Sequence, residues 1–392
     1  MQAGLRAAFE EHRRRFLERF GPGGEVRLFF SPGRVNLMGA HLDYNGGPVM
    51  PTAIDRGTFL AIRSRKGPEV HLASTLEPGE LSASLADLPR EGTGTWHDYP
   101  LGVVHHISPE GELPEGVDVL FGGNLPIGAG LSSSASICVG TAFALNEVWG
   151  LGATTLRCVE AALWSEREFV GVRCGIMDPY AVGFSRPDHL LWIDCKDASM
   201  RHIPLDSNAV VVAVVDSGIR RDLAKGAFNE RVEECARAFE RLRHHVPGAT
   251  CLRDVPLEAV EEHAGELDGV HLRRARHVAA EVARTFEARE ALESGDLRGF
   301  GERISTAHES LRDLFEVSVP ELDHLVESAL EWDGVLGSRL TGAGFGGCTV
   351  VLLRREACEG FAEHVQTSFE ARFGPAPRVD FFRGDAGPRE IV

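Results

Sequence analysis

The chain has 392 residues, 43% of them apolar, which is enough to build a substantial core in one large or two medium domains. Its 58 acidic side chains outnumber 41 basic ones, giving a formal charge of −17, so a general attraction to nucleic acid or to an anionic membrane is disfavoured and small-molecule partners are expected. No apolar run approaches the roughly 20 residues that span a bilayer. The cysteines at 138, 158, 174, 195, 235, 251, 348 and 358 show neither a CxxC pair nor zinc spacing, so reduced thiols in a cytoplasmic protein are expected.

In chain order, MQAGLRAAFEEHRRRFLERFG places Leu5, Phe9, Phe16 and Phe20 at the spacing of an amphipathic helix ended by Gly21, and it lacks the apolar centre of a signal peptide. VRLFF, TFLAIRS, VDVLFGG and HLLWIDC are short apolar, largely β-branched runs bounded by turn residues and predict strands. Between them, residues 132–150 and 154–171 have helical apolar spacing, and each stretch ends at a glycine. AVVVAVVDS then opens a second half rich in long charged helices, including LAKGAFNERVEECARAFERLR and VHLRRARHVAAEVARTFEAREALESG. The pattern predicts two α+β domains, residues 1–203 and 204–392, with no internal repeat.

Four stretches carry polar groups or glycines whose local pattern suggests chemistry. PGRVNLMGAHLDYNGG, residues 32–47, brings Arg34, His41 and Asp43 close together among glycines; a binding loop and a capped turn both fit. In NLPIGAGLSSSAS, residues 124–136, glycines permit a tight loop and Ser132, Ser133 and Ser134 open a helix whose free N–H groups suit phosphate. The stretch lacks both the lysine of a GxxxxGK[ST] loop and the spacing of a dinucleotide fingerprint, and a serine-capped helix is the plainer alternative. VGVRCGIMDPYAVGF puts Asp178 after an apolar pair, where a carboxylate is unusual unless it is paired or chemically active, and Glu166 lies twelve residues earlier on the preceding helix. LTGAGFGGCTVV has glycines at 342, 344, 346 and 347, which fits either a ligand-closing loop or a bulged hairpin.

Taken in this order, and with TWHDYPLGVV, RARHV and HESLRDLFEVSVPELDHLVE, the stretches resemble the GHMP kinases, and within them the galactokinase family, over nearly the whole chain. The resemblance implies a two-domain α+β GHMP kinase fold with the active site in the cleft between domains, and transfer of the γ-phosphoryl of ATP to the anomeric hydroxyl of a sugar. It implies that Pro126, Gly128, Ala129, Gly130, Leu131, Ser132, Ser133 and Ser134 cradle ATP, with Trp96 beside the adenine. Ser134 and Glu166 match the residues that hold Mg2+, an oxygen-only donor set suited to that ion. Asp178 matches the catalytic aspartate that accepts the hydroxyl proton, and Arg34 the arginine beside it that stabilises charge on the transferring phosphoryl. His41, Asp43 and Gly175 match positions at the sugar.

Two departures fall in the implied sugar pocket. The family phrase GEHTDY reads GAHLDY here, so Ala40 replaces a glutamate that accepts from the sugar 6-hydroxyl, and Phe228 replaces a tyrosine. Arg173, where the family has a small or uncharged residue, is a cationic candidate to meet a sugar carboxylate. Loss of a carboxylate at position 40 removes a repulsion of roughly 4 kcal/mol, for like charges about 4 Å apart at an effective dielectric near 20. The expected substrate is therefore galactose-configured, with galacturonate placed slightly ahead of galactose. A non-catalytic sugar sensor and a kinase for an N-acetylated sugar are the alternatives. The retained serine loop, Arg34, Glu166 and Asp178 speak against the sensor. Monomer and dimer both remain open.

Overall fold

The computed structural model of the chain describes residues 3–107, 114–126, 130–219 and 224–392. Its strands in chain order are β1 (Arg27–Asn36), β2 (Pro48–Val49), β3 (Pro51–Arg65), β4 (Glu69–Ser74), β5 (Glu80–Ser84), β6 (Gly116–Gly123), β7 (His189–Asp194), β8 (Ser199–Pro204), β9 (Val210–Asp216), β10 (Val335–Thr341), β11 (Cys348–Arg354), β12 (Arg378–Phe382) and β13 (Arg389–Ile391). The helices are α1 (Ala3–Phe20), α2 (Asp98–Ile107), α3 (Ser133–Trp149), α4 (Thr155–Trp164), α5 (Met177–Phe184), α6 (Ala224–Leu242), α7 (Leu257–Glu262), α8 (Gly269–Glu293), α9 (Leu297–Asp313), α10 (Pro320–Leu330) and α11 (Phe361–Phe373).

Six strands in the order β13-β1-β3-β6-β4-β5 form the first sheet, antiparallel except for the β4–β6 pair. Four more, β10-β11-β9-β12, form an antiparallel sheet in the second half, and β2-β7-β8 form a small third one. The last strand, β13, returns to pair with β1, so residues 389–391 join the sheet built by the first half. All the predicted strands and helices named above are present, because their apolar runs supply faces that the sheets and helices bury against one another. Phe9 and Phe16 of α1, for example, are buried with Phe30 and Phe59 of the first sheet. Truncating either α1 ring to alanine costs about 3–5 kcal/mol.

Two local features shape the surroundings of the polar residues singled out above. Strand β1 is buried beyond its first residue and has a register shift at Pro32/Gly33, after which Arg34 projects near its end. A Cβ at Gly33 would fall 2.4 Å from a methyl carbon of Leu125 and 2.8 Å from the Leu131 carbonyl, so glycine lets these two residues approach the strand. The predicted helix over 154–171 stays α-helical only to Trp164 and continues as a π-helical turn, Ser165–Phe169. Such turns widen the helix by one residue and re-aim a side chain, here Glu166. Among the described residues no helix is long and apolar enough to cross a membrane, and none of the eight cysteines is in a disulfide.

Candidate active site

A cavity of about 470 Å³ lies where the end of β1, the loop after it, and the starts of α3 and α5 meet residues of the second half, including Phe228, Arg339, Gly342 and Ala343. Arg34 grips Asp178 with a two-pronged bond, Nε to Oδ1 at 2.7 Å and a terminal nitrogen to Oδ2 at 2.8 Å. Its other terminal nitrogen donates to the Gly130 carbonyl at 2.6 Å, so the guanidinium is fixed on both sides. Ser132 adds a third bond, donating its hydroxyl to Oδ2 of Asp178. A carboxylate offers about four acceptor positions, so three such bonds leave room for a substrate hydroxyl.

Ser132 departs from the plain reading of a helix-capping serine. Its φ is +58°, and its side chain makes no cap bond to α3. The left-handed backbone instead turns the hydroxyl toward Asp178, a strained conformation of the kind found at functional sites. The N-terminus of α3 then faces the cavity with its positive dipole end free of a side-chain acceptor. Against it lies the second glycine loop: a Cβ at Gly130 would meet the Gly342 Cα at 3.6 Å, and both residues have positive φ.

The loop after β1 supplies the opposite wall. His41 sits at φ +59°, its Nδ1 is 2.9 Å from the Tyr44 hydroxyl, and its Nε2 has no hydrogen-bond partner of normal geometry among the described residues. Burial, aided by Arg339 and Arg231, pushes the imidazole down to about 3, so it stays neutral at ordinary pH. Burial likewise pushes Asp43 up to about 6, with the nearby Asp178 charge adding to the rise and Arg34 opposing it. Gly175 is packed onto that carboxylate so closely that a Cβ would fall 2.0 Å from Oδ2 of Asp43. Glycine is thus required at 175 to let the two chains meet.

Ser133 and Ser134 form a shared wall with a second, more apolar cavity of about 190 Å³, lined by Trp96, Tyr99, Phe121 and Ile137 among others. The Trp96 indole is held by a 3.0 Å bond from Nε1 to the Pro78 carbonyl and an edge contact with Phe121. Glu166, 4% exposed, receives a hydrogen bond from Ser134 while its Oε2 is buried without a partner. Burial raises its carboxyl to about 7, and Asp178 adds to the rise. An oxygen-only pair with a partnerless buried carboxylate oxygen fits a hard divalent cation such as Mg2+.

Most of the sequence-identified residues converge on these two cavities: Arg34, Ala40, His41, Asp43, Pro126, Gly130, Leu131, Ser132, Ser133, Ser134, Gly175, Asp178 and Phe228 line the first, and Trp96 the second. Gly128 and Ala129 lie outside the described residues. Arg173 is a correction. Its side chain is 68% exposed, lies 3.8 Å from Glu233 and is not among the residues lining the cavity, because residues 171–175 run irregularly between the π-helical turn and α5 and carry it outward. Sequence reasoning missed Asn36, Tyr44, Cys174, Met177, Arg339 and Ala343 in the lining. Tyr44 was within reach of it, since it follows Asp43 in the same loop; Arg339, over 300 positions from Asn36 and Leu37 whose carbonyls it binds, gave no local signal.

Comparison with known proteins places these features in a wider group. Residues 14–64 match the galactokinase galactose-binding signature, 98–186 the GHMP kinases N terminal domain and 288–371 the GHMP kinases C terminal model. The chain is 40% identical over 382 residues to a galactokinase of Roseiflexus sp. (strain RS-1), covering 97% of each chain. It is 38% identical to a galactokinase of Enterococcus faecalis, covering 96% of this chain and 98% of the relative. Lactococcus lactis galactokinase complexed with galactose superposes with a TM-score of 0.93 at 32% identity, over 99% of this chain and 100% of that one. The mevalonate kinase of Methanococcus jannaschii, at 20% identity and a TM-score of 0.68 over 93% of this chain and 99% of that one, shares the fold.

Proposed function

The chain belongs to the galactokinase family of the GHMP kinases and is a sugar kinase with ATP as co-substrate; from that premise we propose that it phosphorylates the anomeric hydroxyl of D-galactose. The observation that carries the reading is the Arg34–Asp178 pair, fixed on both sides and open to the cavity beside the serine loop. The sugar lies in the larger cavity with its ring hydroxyls on Asp43 and its anomeric hydroxyl on Asp178. As the anomeric oxygen bonds to the γ-phosphorus, the bond from that phosphorus to the β–γ bridging oxygen breaks, the hydroxyl proton passes to Asp178, and ADP leaves. Arg34 and the start of α3 stabilise the charge on the transferring group, which is the main contribution a protein makes to this reaction. The adenine occupies the smaller cavity beside Trp96.

Ser134 and Glu166 would hold Mg2+, which neutralises phosphate charge when bound. The expected preference for galacturonate has no support from the relatives, which are galactokinases. Two features of the cavity also weigh against it. Arg173 pairs with Glu233 on the surface. Arg339, which does line the cavity, is engaged with the carbonyls of Asn36, Leu37 and Leu340. A division into two units near residue 204, with β13 attached to the first, is part of the proposal, as is a cytoplasmic location suited to eight cysteines outside any disulfide.

The test is ATP consumption with galactose, galacturonate, glucuronate and N-acetylgalactosamine, with the product's phosphorylated carbon identified by phosphorus and carbon NMR. Galactose 1-phosphate as the dominant product is the expected result. No turnover with any of these sugars, or phosphate on another carbon, overturns the reading.

A further inference from the structure

The RARHV stretch lies on α8, outside the cavity, and its face packs on the backbone of the loop that forms the cavity wall. His277 and Glu281 are one helical turn apart and both are fully buried. Glu281 Oε1 accepts from the backbone N–H of Gly39 at 3.2 Å and of Ala40 at 3.3 Å, while Oε2 is paired with Arg284. His277 places Nε2 3.4 Å from the Ala40 carbonyl and Nδ1 2.8 Å from the Ser310 hydroxyl on α9. Three backbone groups of two adjacent residues, the Gly39 and Ala40 N–H and the Ala40 C=O, are thus clamped by one face of one helix.

The clamped segment is the one that needs holding. Gly39 has φ +81° and His41 φ +59°, so the chain passes through two left-handed residues within three positions, and the second is not glycine. Such a turn persists only when its surroundings over-determine it. The same turn aims Ala40 and His41 into the cavity, and the His41 ring rests on Phe315, which also meets the His277 ring. A buried carboxylate accepting two amide N–H bonds is the strongest available anchor for this backbone, since charge-assisted bonds of this kind are about twice as strong as neutral ones.

We propose that Glu281, seconded by His277, is a positioning residue for sugar recognition: from α8 it sets the left-handed Gly39–His41 turn and thereby the cavity wall formed by Ala40 and His41. The inference rests on the reading of this cavity as the sugar site. Neither side chain lines the cavity, so both act through the loop. The α8 clamp acts on the sugar side, and the smaller cavity beside Trp96 contains none of the clamped residues.

The experiment is steady-state kinetics of the full chain with galactose and ATP for wild type, Glu281→Asp and Glu281→Gln, beside hydrogen exchange of the wild-type amides without ligand. Glu281→Asp withdraws the carboxylate by one methylene and should raise the KM for sugar about tenfold, the loss of roughly one such bond, with the KM for ATP within about twofold. Glu281→Gln keeps an oxygen for both amides but gives up the charge and turns its NH2 toward Arg284, so its sugar KM should fall between those of wild type and Glu281→Asp. The Gly39 and Ala40 amides of the wild type should exchange slowly. An unchanged sugar KM in Glu281→Asp, equal rises for sugar and ATP, or fast exchange at both amides overturns the proposal. Fast exchange decides the matter even if neither variant folds. A wild type that phosphorylates none of the sugars overturns instead the reading on which the proposal rests.

Discussion

The Ser132 hydroxyl and the Arg34 guanidinium hold the Asp178 carboxylate between them, one from the start of α3 and the other from the end of β1. The arrangement fixes the carboxylate's direction without filling its last acceptor position. Asp178→Asn keeps the shape but replaces one oxygen with an NH2 group that cannot take a proton and that faces donors on either side. Turnover should fall about 10²–10⁴-fold, the range of a lost general base, while ADP binds with nearly wild-type affinity. Ser132→Ala should cost less, about tenfold in kcat, because the two Arg34 bonds remain. An Asp178→Asn enzyme within about tenfold of wild type would remove the proton-accepting role.

The proposed role of Asp43 as an acceptor for the sugar predicts pH-dependent binding. Its carboxyl, pushed up to about 6 by burial, accepts from two hydroxyls only when ionised, so the sugar Kd measured by calorimetry without nucleotide should rise as pH falls through about 6. His41, held near 3, stays neutral throughout this range and adds no step of its own. The effect on stability has the opposite sign. Between about 6 and 3.8 the folded carboxyl retains a proton that an unfolded chain has released, so this group stabilises the ligand-free fold as pH falls across that window. Tighter sugar binding at pH 5 than at pH 7.5 would exclude the ionised Asp43 as the acceptor.

The proposed Mg2+ ligands, Glu166 and Ser134, are tested by the magnesium requirement. Removing either oxygen, by Glu166→Gln or Ser134→Ala, should shift the Mg2+ activation curve to about tenfold higher concentration, since the ion keeps water in its remaining positions and each protein ligand contributes separately. Both variants should retain sugar affinity in the absence of nucleotide. Superimposable Mg2+ titrations for wild type and both variants would take these residues out of the metal shell.

Ala40 lines the cavity with His41 and Phe228, and the role proposed for it is discrimination between sugars. Ala40→Glu should leave kcat/KM for galactose unchanged or raise it, and should depress any activity on galacturonate by about 100-fold or more, as expected for two like charges sharing a partly desolvated space. The comparison needs both sugars in both enzymes. A variant that loses both sugars equally would mark position 40 as a packing position only, in line with its 4% exposure and the Glu281 carboxylate on its backbone amide.

The amino-acid sequence by itself determined the elements and the local chemistry. Apolar runs and helical apolar spacing gave β9, α3, α6 and α8 close to their observed bounds, because each buries a face that its own pattern writes out, whereas β1 continues to Asn36 beyond the VRLFF stretch and β3 begins at Pro51, ahead of TFLAIRS. The glycine loops and the serine run were legible as local composition, although the contacts that require them lie far along the chain. Only the tertiary structure decided which polar groups meet. Arg34 and Asp178 are 144 positions apart, and Glu281 lies 241 positions from the amide of Ala40 that it holds. Arg173, five residues from Asp178, points instead to Glu233 on the surface. Ser132 could be read as a helix cap or as a phosphate ligand, and its left-handed backbone turned it to the Asp178 carboxylate. Spacing along a chain specifies which side chains share a face of one element; which faces are brought together depends on the sheet order and helix packing, and those are fixed by the summed burial of the whole core.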